Sequence, residues 1–188
     1  MDIYRELFLM QQTYATLFSL ANKIQVKGDK SLELLTTRQY MAMVAIAHIP
    51  EDEATLNNIA KKLGTTKQSV KQIITIMERK GYVSVIPSDK DKRAVNVRIT
   101  ETGNTALQIV AEKGIFFLEA LFKKVSTEKL EKVWDILKKL YSFDGEEQDG
   151  FEEEGNLNTN EENNELQLRV LKEFEKRRIH AINEREIK

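Results

Sequence analysis

The stretch from Leu56 to Arg79 leaves the chain few ways to fold. Leu56, Ile59, Ala60 and Leu63 recur at helical spacing, Gly64 interrupts them, and Thr65 or Thr66 is placed to cap a second run in which Val70, Ile73, Ile74 and Met77 share a face. Two helices that meet at a sharp angle need a small side chain where they touch, a residue that tolerates positive φ at the turn, and an apolar anchor on the second helix. Ala60, Gly64 and Val70 supply these in order, so the spacing predicts a helix-turn-helix. With only 8 Gly and 2 Pro in 188 residues, a many-turned all-β architecture around it is excluded. The fold expected is mainly α.

The second helix of this pair has a face to spare. At 100° per residue, Gln68, Lys71, Gln72, Thr75 and Arg79 lie opposite the apolar row, with Lys67 and Ser69 beside them near the N-terminus. A solvated surface explains most polar helix faces. Chemistry weighs against that here: Gln pairs bidentately with adenine, Lys with phosphate or guanine, and the free amides of a helix N-terminus favour phosphate. Two β-rich runs follow, Tyr82–Pro87 and Val95–Thr100, the second alternating Val95, Val97 and Ile99 with Asn96, Arg98 and Thr100. The connection between them, 88–94, carries Lys90, Asp91, Lys92 and Arg93. From Lys61 to Arg98 there are ten Lys+Arg and three acids. A hairpin with cations at its tip directly after such a helix makes a winged helix-turn-helix, expected to bind double-stranded DNA. The recognition helix would use Thr66, Lys67, Gln68, Ser69, Lys71, Gln72 and Thr75, and the wing Lys90, Asp91, Lys92 and Arg93.

A formal net charge of −1 argues against a nucleic-acid partner only if the charge is evenly spread. Residues 1–143 hold 22 Lys+Arg and 16 Asp+Glu, whereas residues 144–164 hold nine acids and no cation. That acidic, Asn-rich stretch has only Phe151 and Leu157 as large apolar groups and is expected to be a disordered linker. Residues 165–188 regain helical spacing at Leu166, Val170 and Phe174 and are expected to form a C-terminal helical extension. Within 1–143 the DNA-binding core spans about 36–100. Long apolar stripes over about 3–26 and 104–143 predict flanking helices with buried faces, ordinary core in part, and long enough to serve a homodimer interface. No Cys and two His leave no thiol chemistry and no basis for a metal or cofactor site, and no phosphate-binding or catalytic motif is present. The chain is not expected to be an enzyme. His48, in an apolar helical pattern, reads as core. The N-terminus lacks a basic and apolar leader, and no membrane span is expected, which with the missing cysteines points to the cytoplasm.

The order of a long first helix, LTTRQ, LNNIAKKLGTTKQSV, MERKGYV, PSDKDKRAVNVRITETG and two long helices resembles the MarR family of bacterial transcription regulators over roughly residues 3–143. The most specific part is Asp91-x-Arg93 followed by Val95-x-Val97-x-Ile99-Thr100-x-x-Gly103. The resemblance implies a homodimer on a pseudo-palindromic operator, Arg93 in the minor groove with Asp91 helping to hold it, and often a small-molecule effector in the cleft between the dimerisation and DNA-binding parts. Tyr14, Phe18, Tyr40, Met43 and His48 are placed to face such a cleft, with core packing the commoner use of such residues, so the effector contacts stay unassigned. A repressor is preferred over an activator, because occupying an operator needs only steric exclusion. The alternative is a winged-helix protein-interaction module without an operator of its own. Family members usually carry an acid and Arg entering the first wing strand, where this chain has Ser84, Val85 and Ile86.

Overall fold

The computed structural model describes residues 2–88, 90, 93–145, 151 and 168–179. Helix α1 (Ile3–Leu32) leads to α2 (Thr37–His48), α3 (Leu56–Lys62) and α4 (Lys67–Arg79), then an antiparallel hairpin of β1 (Val83–Pro87) and β2 (Val95–Ile99), and finally α5 (Glu101–Phe122) and α6 (Thr127–Tyr141). The fold is mainly α with a two-stranded wing. A further helix covers 168–179.

Each helix of the core starts where a hydroxyl can take an otherwise unpaired amide. Thr36, Thr55, Thr66 and Thr100 each accept from the backbone N–H three residues on, at the starts of α2, α3, α4 and α5. Thr36 and Gln39 form a reciprocal capping box. Thr100 does more, because its hydroxyl also donates to the Gly81 carbonyl and so ties the start of α5 to the entry of the wing. Replacing Thr100 by Ala is expected to cost about 1–2 kcal/mol, read as a fall in thermal midpoint; an unchanged midpoint would show that neither bond contributes.

The buried core is formed by Leu35, Met43, Ile46, Ile59, Val70, Ile74, Met77, Val83, Val97, Leu107 and Val110, drawn from α2, α3, α4, both strands and the first half of α5. It therefore sits behind the helix-turn-helix and the wing and fixes their mutual angle. Gly64 adopts φ +60 between α3 and α4, as the turn requires.

Three sequence expectations change. The first helix runs past residue 26 to Leu32, because its last turns pack on α2: Asp29 accepts the Thr37 amide at 2.6 Å, and Gly28 lies directly against the Thr37 side chain. The apolar stripes of α1 and α6 are not buried within the chain; Tyr4, Tyr14, Phe18, Trp134 and Ile136 are more than half exposed. Asn96, expected on the outer face of its strand, is buried. The reason is the segment before α3, which pairs along β2 as a third extended edge: Thr55 bridges Asn96, the Val97 amide donates to the Ala54 carbonyl at 2.9 Å, and the Asn96 amide group donates to the Asp52 carbonyl at 3.0 Å.

The helix over 168–179 docks on the end of α5. Val170 is buried, and the Arg178 guanidinium donates to the carbonyls of Phe122, the last residue of α5, and of Val125 just beyond it, at 2.9 and 3.0 Å. No described helix is long and apolar enough to cross a membrane.

Candidate nucleic-acid interface

Helix α4 divides cleanly. Val70, Ile74 and Met77 are buried, while Lys67, Gln68, Lys71, Gln72, Thr75 and Arg79 are exposed and Ser69 is half-buried. Thr66 accepts from the Ser69 amide at 3.2 Å, and its hydroxyl lies 3.0 Å from that of Ser69. The capping thus fixes the first turn, and Lys67 and Gln68 project from it. Farther along, the Thr75 hydroxyl donates to the Lys71 carbonyl at 2.8 Å and the Arg79 Nε–H to the Thr75 carbonyl at 3.4 Å. Those two side chains lean back on their own helix, leaving Gln68, Lys71 and Gln72 as the freely presented row.

The wing is brought to the same end of the molecule. A small cleft is lined by Thr55, Leu56 and Asn57 at the start of α3, Lys67 at the start of α4, and Arg93, Ala94 and Val95 on the wing. Lys67 and Arg93, far apart in the sequence, thereby share one rim. Strand register pairs Val83 with Ile99 and Pro87 with Val95, and the Ser88 amide donates to the Ala94 carbonyl at 3.1 Å, so the described residues Ser88, Lys90, Arg93 and Ala94 lie at the tip end of the hairpin. Asp91 and Lys92 lie outside the described residues.

Lys90 is not simply a tip cation. Its ammonium is 2.6 Å from Asp52 and 2.9 Å from Glu53, while Arg98 on β2 is 2.6 Å from Glu51. Three consecutive acids before α3 therefore hold both ends of the wing, in place of the charges that the first wing strand lacks. Sequence reasoning missed this, although an acid triplet ahead of the Thr55 cap is visible. It also means that part of the positive charge counted from Lys61 to Arg98 is compensated in space.

The Lys90 hydrogen bond holds the Asp52 carboxyl below the usual carboxylate range, and bonds to Asp52 and Glu53 raise the Lys90 ammonium above its ordinary value. A depressed acid contributes fully above its unfolded pKa and loses the contribution as pH falls through the folded value. A raised amine contributes fully below its unfolded pKa and loses it as pH rises through the folded one. The wing anchor is thus intact across the whole interval between the two, neutral pH included. A chemical-shift titration of the Asp52 carboxyl is expected to give a midpoint below that of an exposed aspartate; a midpoint at or above the ordinary value would mean that the pair does not form.

Residues 35–94 match the family model described as MarR family. The transcriptional activatory protein BadR of Rhodopseudomonas palustris is 26% identical over 110 residues, 57% of this chain and 63% of that protein. The transcriptional repressor MprA of Escherichia coli is 26% identical over 112 residues, 59% of this chain and 64% of its own. The chain thus aligns with under two thirds of either relative's length. Among solved structures, that of the S. aureus MepR–DNA complex superposes with a TM-score of 0.60 at 26% identity, covering 69% of this chain and 96% of that one. The matched segment begins at Leu35 and ends at Ala94, taking in α2, the helix-turn-helix, β1 and the wing tip, and the superposition extends the likeness to most of the chain. With its helix-turn-helix, hairpin wing and flanking long helices, the chain shares the fold of the MepR structure, and its residues 35–94 match the MarR family model.

Proposed function

We propose that the chain is a homodimeric, sequence-specific DNA-binding transcription regulator. The observation that carries this is the division of α4, whose apolar face is sunk in the core while an exposed row of Lys67, Gln68, Lys71 and Gln72 stands beside Arg93 of the wing. In this reading α4 enters the major groove, Gln68 and Gln72 read base edges, Lys67 and Lys71 neutralise phosphates, and the wing, with Lys90, Asp91, Lys92 and Arg93, follows the backbone into the minor groove.

The second copy is supported by the apolar side chains that α1 and α6 leave in solvent. Ile3, Leu7, Met10, Tyr14, Trp134 and Leu137 are far more exposed than core-facing stripes ordinarily are, and a symmetric partner covers such a surface most economically. Two copies of α4 would then meet a pseudo-palindromic site. Repression is the simpler mode, since an occupied operator excludes the polymerase. The printed names of the relatives include both an activatory protein and a repressor, and the sign is read by following expression of adjacent genes after deletion.

Gel retardation of the chain's own upstream region at two salt concentrations tests the reading. Retention that weakens steeply with salt is expected, because phosphate neutralisation releases counterions. Absence of salt-sensitive retention would favour a protein-interaction module instead.

A further inference from the structure

Three acids stand beside the surface read above as DNA-facing, and they are bonded into the wing rather than scattered near it. Residues 50–53 close a turn in which the Glu53 amide donates to the Pro50 carbonyl at 2.8 Å, so Glu51, Asp52 and Glu53 leave one tight segment. Glu51 takes Arg98 of β2 at 2.6 Å, and Asp52 and Glu53 share the Lys90 ammonium at 2.6 and 2.9 Å. The backbone of the same segment is engaged as well. The Asp52 carbonyl accepts the Asn96 side-chain amide at 3.0 Å, the Ala54 carbonyl accepts the Val97 amide at 2.9 Å, and the Glu53 carbonyl accepts the Asn58 side-chain amide of α3 at 2.7 Å. Glu53 thus holds α3 with its carbonyl and the wing with its carboxylate.

A hairpin of two short strands has little of its own to hold it at a fixed angle. Each of these ion pairs joins side chains about half exposed to solvent and is weak alone, but together on one segment, backed by the backbone bonds, they form a network. What the network positions lies next to it in the chain on both sides. Thr55, Leu56 and Asn57, which follow the acids, line one cleft with Lys67 of α4, and Arg93, three residues after Lys90, lines the same cleft from the wing. We propose that Glu51, Asp52 and Glu53 are positioning residues for DNA binding, acids that raise affinity for a polyanion because they clamp the wing where Arg93 shares a rim with Lys67. This rests on the DNA-binding reading above and adds to it a sign that charge alone would not give. Carboxylates this close to a duplex would otherwise repel it, and removing them would release Lys90 to a phosphate.

The full-length chain carrying Glu51→Gln, Asp52→Asn and Glu53→Gln tests this with two readouts. The first needs no DNA. Hydrogen exchange of the Val97 amide reads the clamp, since that N–H is bonded to the Ala54 carbonyl of the acidic segment. Exchange is expected to quicken several-fold; unchanged exchange overturns the clamp. The thermal midpoint checks that the variant is folded, and Asp52→Asn alone carries the same expectations should the triple variant not fold. The second readout is affinity for a labelled mixed-sequence duplex at low salt. The triple variant is expected to bind about three- to tenfold more weakly, with a flatter slope of log affinity against log salt as Arg93 loses its place. Tighter binding, with a steeper slope, is what the loss of negative charge alone would produce, and it overturns the proposal; so does unchanged affinity alongside quickened exchange. Lys90→Gln gives an independent check. It is expected to weaken binding in the otherwise wild-type chain and to have no further effect in the triple variant, whereas an equal loss in both backgrounds would make Lys90 a phosphate contact that owes nothing to the acids and would overturn the proposal too. If the wild-type chain itself retains no DNA in a salt-sensitive way, the DNA-binding reading falls and the positioning role with it, while Val97 exchange still reports whether the clamp exists.

Discussion

Replacing Gly103 by Ala is expected to cost about 3 kcal/mol, at the upper end for an overpacked site. A Cβ there would stand 2.0 Å from the Tyr82 carbonyl oxygen and 2.9 Å from Ile99 Cγ2. Neither neighbour can step aside. The Tyr82 carbonyl accepts the Thr100 amide at 3.1 Å, Ile99 packs on the core, and the Gly103 amide itself donates to the Thr100 hydroxyl at 3.0 Å. The first turn of α5 is thus pressed onto the base of the wing, and a methyl group would push them apart. For a domain of this size the loss corresponds to a fall of roughly 6–12 °C in thermal midpoint. Gly114→Ala is the matched control. Its added Cβ would meet the Tyr40 hydroxyl at 3.4 Å, an ordinary contact, and Ala is the better helix former, so that midpoint should hold or rise slightly. Equal loss in both variants would mean that helix α5 is sensitive to any substitution rather than clamped at Gly103.

Removing the two cations of the first turns of α4 should have the largest effect on DNA. In Lys67→Ala, Lys71→Ala the affinity at about 0.15 M salt is expected to fall on the order of 10- to 100-fold, and the slope of log affinity against log salt to flatten by about 2 per chain. Both side chains are exposed, so the thermal midpoint should not move and the loss is attributable to the interface. Arg93→Ala should weaken binding to all sequences in the same manner, since it shares a rim with Lys67. Gln68→Ala should behave differently, altering preference at one base position by about 1–3 kcal/mol with little change of slope. A double-lysine variant with wild-type affinity and slope would remove α4 from the interface.

How much of this was legible in the sequence depends on the range of the interaction. The turn at Gly64, a threonine cap at Thr65 or Thr66 and the opposition of Val70 to Lys71 are local features, readable because a helix repeats every 3.6 residues; which threonine caps was settled only by the Thr66 hydroxyl accepting the Ser69 amide. The charge anchor of the wing was not. Glu51 and Arg98, or Asp52 and Lys90, are brought together only by the third extended edge along β2, which also turns Asn96 inward against its strand alternation. The exposed stripes of α1 and α6 show a different limit: spacing reveals that a face is apolar, and not which surface covers it. Phe151 is the sharpest case. Composition marked its surroundings as acidic and poor in apolar groups, and a single aromatic ring seated between His48 and Lys62 leaves no periodic signal at all.

Selection by the purified chain from a random pool of DNA duplexes is expected to enrich a pseudo-palindromic consensus with two half-sites about one helical turn apart, bound as a dimer and lost from the Lys67→Ala, Lys71→Ala variant. A pool that emerges unenriched, or binding that the double variant retains in full, would contradict DNA reading by α4.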